Sequence, residues 1–183
     1  MGRVVVSTYV TLDGVMEAPE EWSLQFFNEE AMGYAQSQLF ASDALLLGRV
    51  TYEGFAAAWP SRSGDEFSDR MNALPKYVAS TTLEGPLEWN NSTVVKDVAD
   101  EVSGLKWRLD GDILVYGSAD LMRALMRHDL VDEYRFWVQP VVVGGGKRLF
   151  GEEGETKELR LADATGFATG TVVLSYEPAQ ASP

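Results

Sequence analysis

Apolar residues along the chain recur at two spacings, and the switch between them divides it into elements. Arg3–Val10, Ala44–Leu47, Lys76–Ala79, Ser92–Val95 and Ile113–Tyr116 are short β-branched or aliphatic runs that read as strands. The uninterrupted ones, such as Ala44–Leu47, read as strands covered on both faces. Between them, apolar residues return every three or four positions. In Asn28–Phe40, Ala31, Ala35 and Leu39 stack on one stripe. With Asp97 as N-cap, Val98, Val102, Leu105 and Leu109 follow at i, i+4, i+7 and i+11. In Ala119–Arg127, Leu121, Met122, Leu125 and Met126 are apolar, with Arg123 and Arg127 outside. Asp65–Leu74 reads as a helix stopped by Pro75, because the residue before a proline avoids the helical region.

The pattern changes after Arg127. Glu133–Val138 and Val141–Val143 are extended runs separated by Pro140. Leu159–Thr165 and Thr171–Tyr176 flank Gly166 and Gly170 as a terminal antiparallel pair. Strand–helix alternation followed by such a ribbon predicts a three-layer α/β fold, with a mixed, mainly parallel sheet, flanking helices and a C-terminal antiparallel hairpin. No Pro/Gly/Ser-rich linker interrupts the chain, so residues 1–178 are expected to form one domain and 179–183 a disordered tail.

At 183 residues and 45% hydrophobic, the chain can bury a core of its own. It has no cysteine, which excludes disulfides, thiolate metal sites and cysteine nucleophiles. The single histidine, His128, argues against a histidine-built metal site or a Ser-His-Asp enzyme, and no metal is expected. Fifteen Lys and Arg against 28 Asp and Glu give a net charge of −13, which repels nucleic acid and anionic membranes. With no long apolar run and no signal peptide at the start, a soluble cytoplasmic protein is expected. Any anionic ligand must be held by a local exception to that charge.

Three strand ends supply such exceptions. Gly48-Arg49-Val50-Thr51 follows Leu45–Leu47 and opens a short helix through Phe55. Its glycine admits a phosphate to the backbone, free N–H groups at a helix start bind it, and the arginine adds a forked cation. Ser80-Thr81-Thr82 places hydroxyls after Ala79, and Gly117-Ser118 opens the helix from Ala119. Each also has a plainer reading: a glycine for a tight turn, Ser118 as N-cap, Ser80–Thr82 as a turn, and Arg49 paired with a surface carboxylate. Taken together they point to a nucleotide with several phosphates. No G-x-G-x-x-G follows a strand, and Gly146-Lys147 precedes Arg148, which excludes a P-loop.

With Ser7–Gly14, Leu47–Glu53, Ser80–Leu83, Val115–Ala119 and Pro140–Phe150 in this order, the sequence resembles the dihydrofolate reductase-like superfamily. Within it, the sequence is similar to the reductase domain of bacterial riboflavin biosynthesis, the RibD C-terminal branch. The resemblance implies a mixed eight-stranded sheet with NADPH along the strand tips. It implies that Gly48, Arg49 and Thr51 receive the adenosine-side phosphates, the arginine favouring the 2′-phosphate, and that Ser80 and Thr81 lie against the adenosine. By the same likeness Gly117, Ser118 and Ala119 lie under the pyrophosphate, with Leu121 just inside the helix, and Gly144 and Gly145 near the nicotinamide and pyrophosphate. Asp13 matches a substrate-side position and is a candidate catalytic residue, with a turn as its alternative. Trp22, Phe26 and Phe27 form an aromatic wall for a flat substrate, or else core. Glu29 and Glu30 open the region where folate-reducing members carry an acid. The activity implied is hydride transfer from NADPH to a small heterocyclic or carbonyl-type substrate, pyrimidine- or pterin-like. The competing reading is a non-catalytic protein that binds a dinucleotide or small ligand on the same scaffold. A homodimer is also implied, with Tyr134, Phe136 and Trp137 as interface or as core.

Overall fold

The structure is a computed structural model that describes residues 1–151, 154 and 156–179. Its parallel strands are β1 (Val4–Thr11), β2 (Ser42–Gly48), β3 (Lys76–Ala79), β4 (Ser92–Val95), β5 (Asp112–Tyr116) and β6 (Glu133–Gln139). The ribbon is β7 (Leu159–Gly166) and β8 (Val172–Pro178). They form one 8-stranded sheet in the order β4-β3-β2-β5-β1-β6-β8-β7, in which β8 is antiparallel to both β6 and β7. The helices are α1 (Pro19–Trp22), α2 (Glu29–Phe40), α3 (Arg49–Ala58), α4 (Glu66–Ala73), α5 (Val98–Arg108) and α6 (Ala119–Arg127). This is the three-layer arrangement expected from the sequence, a mixed, mainly parallel sheet with flanking helices and a C-terminal antiparallel hairpin.

Strand alternation sends apolar side chains to two layers. Val5, Leu45, Leu47, Val78 and Leu114 pack against Leu39 of α2, Tyr52 of α3 and Met71 of α4. Val4, Val6, Leu46, Ile113 and Val115 pack on the other face against Val102 and Leu105 of α5 and Leu121, Met122 and Leu125 of α6. Val4, Val5 and Val6 are all fully buried, and each such side chain contributes about 1.5–3 kcal/mol relative to exposure. Ala31 and Ala35 of α2 rest on Trp137, Phe167 and Val173, which carries that layer over β6 and β8. Side chains cap α2, α4 and α5: Asn28 accepts from Ala31 N at 3.0 Å, Asp65 from Ser68 N at 2.9 Å and, as expected, Asp97 from Asp100 N at 3.1 Å.

The expected strand at Val141–Val143 does not form. Pro140 has no N–H to give a ladder, and positive φ at Gly144 (80°) and Gly146 (120°) turns the chain away. Val142 and Val143 are exposed, and the segment lies along the loop after β1. Two helical features exceed expectation. The one from Arg49 runs to Ala58 rather than Phe55, and Pro19–Trp22 adds a short turn opened by its proline. Tyr134, Phe136 and Trp137 are buried within this chain and are core, not a free interface. Of the expected tail, Ala179 donates its amide to the Glu158 carbonyl at 3.0 Å, and 180–183 lie outside the described residues. Among the described residues no helix is long and apolar enough to cross a membrane, and no His/Cys/Asp/Glu group could hold a metal ion.

The connections fix where a ligand has room. From β1 the chain passes through α2 on one face to β2. From β5 it passes through α6 on the opposite face to β6. Adjacent strands β1 and β5 therefore feed helices that diverge, which opens a crevice at their carboxyl ends. β5 ends at Tyr116 opposite Ser7, whereas β1 and β6 continue to Thr11 and Gln139.

Candidate functional site

Register brings the three strand tips together. Gly48 pairs with Ala79 and Leu47 with Tyr116, so Arg49, Ser80 and Gly117 emerge side by side from neighbouring strands. The two glycines are sites of close approach. A Cβ on Gly48 would lie 3.0 Å from both Cβ and Oγ of Ser118, and one on Gly117, whose φ is +54°, would lie 3.1 Å from Thr51 Oγ1. The start of α3 thus abuts the start of α6, and any side chain at either glycine would crowd the gap. Gly48 offers α3 no side-chain cap, so the first amides of that helix keep no side-chain partner. Ser118 Oγ accepts from Leu121 N at 3.4 Å, a long contact. Ala119 and Leu121 are buried in the core, so their side chains are not free to meet a ligand.

The plainer readings of these residues are also met. Arg49 Nη1 reaches both carboxylate oxygens of Glu53, at 3.1 and 3.2 Å. Both side chains are about half exposed, and such an i,i+4 pair is worth only about 0.3–0.5 kcal/mol. The guanidinium is therefore held loosely and can be drawn to a phosphate. Ser80 Oγ accepts from Thr82 N at 3.2 Å and Leu83 N at 3.0 Å, closing a hydroxyl turn. Lys96 Nζ fixes that turn from below by donating to the carbonyls of Thr81 at 3.1 Å and Leu83 at 2.6 Å.

Across the crevice, Asp13 follows the end of β1. Its Oδ1 accepts from Thr11 Oγ1 at 2.6 Å and Val143 N at 3.3 Å, and its Oδ2 from Gly144 N at 2.8 Å. These bonds, that of Thr11 first and of Gly144 next, hold the carboxyl well below its usual range, at about 2. Asp13 is thus kept as a carboxylate. Gly144 and Gly145 stand in open space, with nothing within 4 Å of an added Cβ. Lys147 ion-pairs with Asp120 in the first turn of α6, so the glycine loop is braced against the helix that Gly117 and Ser118 open. A cleft of about 310 Å³ adjoins Asp13 and Gly14, floored by Val10, Phe136 and Leu174 with Arg148 at its rim. That volume suits a small ring.

The expected aromatic wall is split. Trp22 is buried and donates Nε1 to the Glu17 carbonyl at 3.0 Å, which places it against the loop after β1. Phe26 is half-buried and makes no ring contact among the described residues. Ring contacts gather elsewhere. Trp137 meets Tyr9 at 5.4 Å and Tyr34 at 5.2 Å, both edge-on, and Phe167 at 5.8 Å. Trp137 Nε1 donates to Ser7 Oγ at 3.0 Å. Tyr9 lies on β1 beyond the last residue of β5, and burial pushes its phenol up to about 12, so it stays neutral. Its one signal in the sequence is Ser7-Thr8-Tyr9, which interrupts the valines of β1. Of the two glutamates opening α2, Glu30 accepts from Ala168 N at 2.8 Å and Asn28 Nδ2 at 3.0 Å. Those bonds lower its pKa and tie α2 to the β7–β8 turn.

Comparison with known proteins agrees with this architecture. The uncharacterized protein YyaP of Bacillus subtilis (strain 168) is 28% identical over 182 residues, covering 95% of this chain and 94% of YyaP. A crystal structure of a putative riboflavin biosynthesis protein from Shewanella sp. PV-4 superimposes with a TM-score of 0.77 at 19% identity, covering 98% of this chain and all of that one. A pyrimidine reductase-like protein from Corynebacterium diphtheriae gives 0.72 at 11% identity, covering 98% of this chain and 93% of that one. At those identities the two structures share the fold. Residues 3–173 match the family described as RibD C-terminal domain, and the chain belongs to that family.

Proposed function

We propose that this protein is an NADPH-dependent reductase that transfers a hydride to a small, pyrimidine-like heterocycle. The observation that carries the proposal is the mutual approach of Gly48 to Ser118 and of Gly117 to Thr51, at the point where the sheet's connections reverse. A Cβ would fill that gap, and its absence leaves the uncapped N–H groups at the start of α3 open to a phosphate beside the Ser118-capped start of α6. The donor set fits a phosphorylated dinucleotide. Gly117, Ser118 and Ala119 would hold the pyrophosphate, Ser80 and Thr81 the adenosine, and Arg49 the 2′-phosphate, exchanging Glu53 for it. When bound, the cofactor supplies the hydride from its nicotinamide ring.

The rest is the work of the chain. The clustered rings of Tyr9, Tyr34 and Trp137 would give the β1 side an apolar surface, and the chain's part in hydride transfer is to bind and orient the two reactants. The heterocyclic substrate class is supported by family membership and by the pyrimidine reductase-like name of one fold neighbour. A homodimer is proposed alongside, on the earlier resemblance.

The test is fluorescence titration of wild type and Arg49→Ala with NADPH and NADH. The variant is expected to lose about 1.5–3 kcal/mol of NADPH affinity, roughly ten- to hundredfold, with NADH little changed. Equal losses for both cofactors would remove Arg49 from this role, and no saturable binding of either would sink the proposal. Binding without turnover of any pyrimidine, pterin or simple carbonyl would leave a dinucleotide-binding protein in place of an enzyme.

A further inference from the structure

Two segments leave the sheet side by side, residues 11–17 from β1 and 141–149 from β6. Backbone bonds zip their ends together: Leu12 N donates to the Val141 carbonyl, Met16 N to that of Lys147 and Leu149 N to that of Gly14, each at 2.9 Å. Between these rungs the glycine loop presents amides that no carbonyl of the partner segment meets. Carboxylates meet them instead. Asp13 takes Val143 N and Gly144 N, and Glu17 takes Lys147 N at 2.9 Å. Positive φ at Gly144 and Gly146 bends the loop into a concavity of N–H groups, a shape that binds anions. The anion seated in it belongs to the chain itself. Thr11 holds one carboxylate oxygen of Asp13 while Arg148 donates to its backbone carbonyl, so the residue is held at both side chain and backbone. At Gly146 an added Cβ would lie 2.9 Å from Val15 Cγ1 and 3.2 Å from Glu17 Oε2, so the two segments touch along their length.

We infer that Asp13 is a positioning residue, whose carboxylate latches the glycine loop to the end of β1 and so fixes one wall of the reductase cleft. The inference rests on the function proposed above and changes the part given to Asp13. Both of its oxygens are already acceptors of donors from its own chain, so protonating it to serve as an acid would release the loop. The proton that completes a hydride transfer then comes from water or another donor. The latch also reaches the cofactor side: the same loop is tied through Lys147 to Asp120, in the helix that opens at Ser118. Loosening Asp13 therefore loosens the wall without removing any group expected to touch the dinucleotide.

Amide hydrogen exchange on the full chain tests the latch, with Asp13→Ala and Asp13→Asn compared with wild type. Asp13→Ala is expected to speed exchange at Val143 and Gly144 by about ten- to hundredfold, the loss of charge-assisted bonds, while the β1 and β6 amides stay slow. Asp13→Asn keeps one acceptor oxygen and is expected to fall between, as is Thr11→Val, which removes the supporting hydroxyl and with it the acceptor of Val15 N. In turnover, Asp13→Ala should lower kcat far more than it changes KM for NADPH. Asp13→Asn should recover part of that loss with a pH profile of unchanged shape. Unchanged exchange at Val143 and Gly144 in Asp13→Ala would overturn the latch. So would an Asp13→Asn protein that holds the loop as wild type does yet has lost turnover, since that assigns Asp13 directly to the chemistry. If wild type turns over no substrate, the reductase reading fails while the exchange measurement still decides the latch.

Discussion

Among the described residues, Lys76 is the most deeply buried charged side chain. It is fully buried on β3, with Nζ donating to the carbonyls of Asn72 at 2.6 Å and Asn90 at 3.1 Å and lying 4.3 Å from the centre of the Trp89 ring. No carboxylate pairs with it among the described residues, and burial lowers its pKa from 10.5 to about 8. A difference of that size corresponds to about 3 kcal/mol. The unfolded chain then holds the proton more tightly than the folded one, so stability rises as pH goes from about 8 towards 10.5. Lys76→Met keeps the apolar stem and removes the proton. Urea unfolding followed by tryptophan fluorescence should show the wild type gaining about 2–3 kcal/mol on the variant between neutral and alkaline pH. Parallel pH curves for the two proteins would refute the reasoning. The effect bears on the site because Trp89, which Lys76 underlies, donates its amide to the Tyr52 hydroxyl at 3.1 Å and so props α3, the helix that begins at Arg49.

Other predictions concern the crevice and the assembly. Gly48→Ala is in a backbone conformation open to any residue, φ −74° and ψ 160°, so its cost comes from the 3.0 Å approach to Ser118. About 1–3 kcal/mol of stability should be lost in a thermal melt, with weaker NADPH binding in the same titration, and unchanged affinity would separate that gap from the cofactor. Asp97→Ala removes the cap of α5, one residue after the Lys96 that braces the Ser80 turn, and should cost about 0.5–2 kcal/mol of stability in the same melt. Unchanged stability would deny the cap its role. Sedimentation at micromolar concentration is expected to give a dimer, and a monomer alone would remove that proposal.

Elements bounded by strong punctuation were legible in the sequence. Lys76–Ala79 lies just after Pro75, Asp97 caps α5, and Ala119–Arg127 follows Gly117-Ser118, and each forms over its expected range or begins where expected. Val141–Val143 misleads because an apolar β-branched run has the same composition whether it joins a sheet or crosses a loop. What decides it is Pro140 and the two positive-φ glycines. The tips at Gly48, Ser80 and Gly117 were legible as a set, since each carries its own glycine or hydroxyls. In the sequence Asp13 was visible as a turn, a substrate contact or a candidate catalytic residue. Beside the local Thr11 hydroxyl, its carboxylate finds donors at residues 143 and 144, a pairing set by the β1–β6 register and by no local pattern. Tyr9 escaped for a similar reason: its place beyond β5 follows from where Tyr116 ends its strand.

Whether one ligand spans the three strand tips is read from amide-resolved NMR of the full chain during NADPH titration. Saturable shifts are expected at Val50 and Thr51, Thr81, and Ser118 and Ala119, all with one dissociation constant. Shifts confined to other parts of the molecule, or different constants at the three tips, would show that no single ligand bridges them.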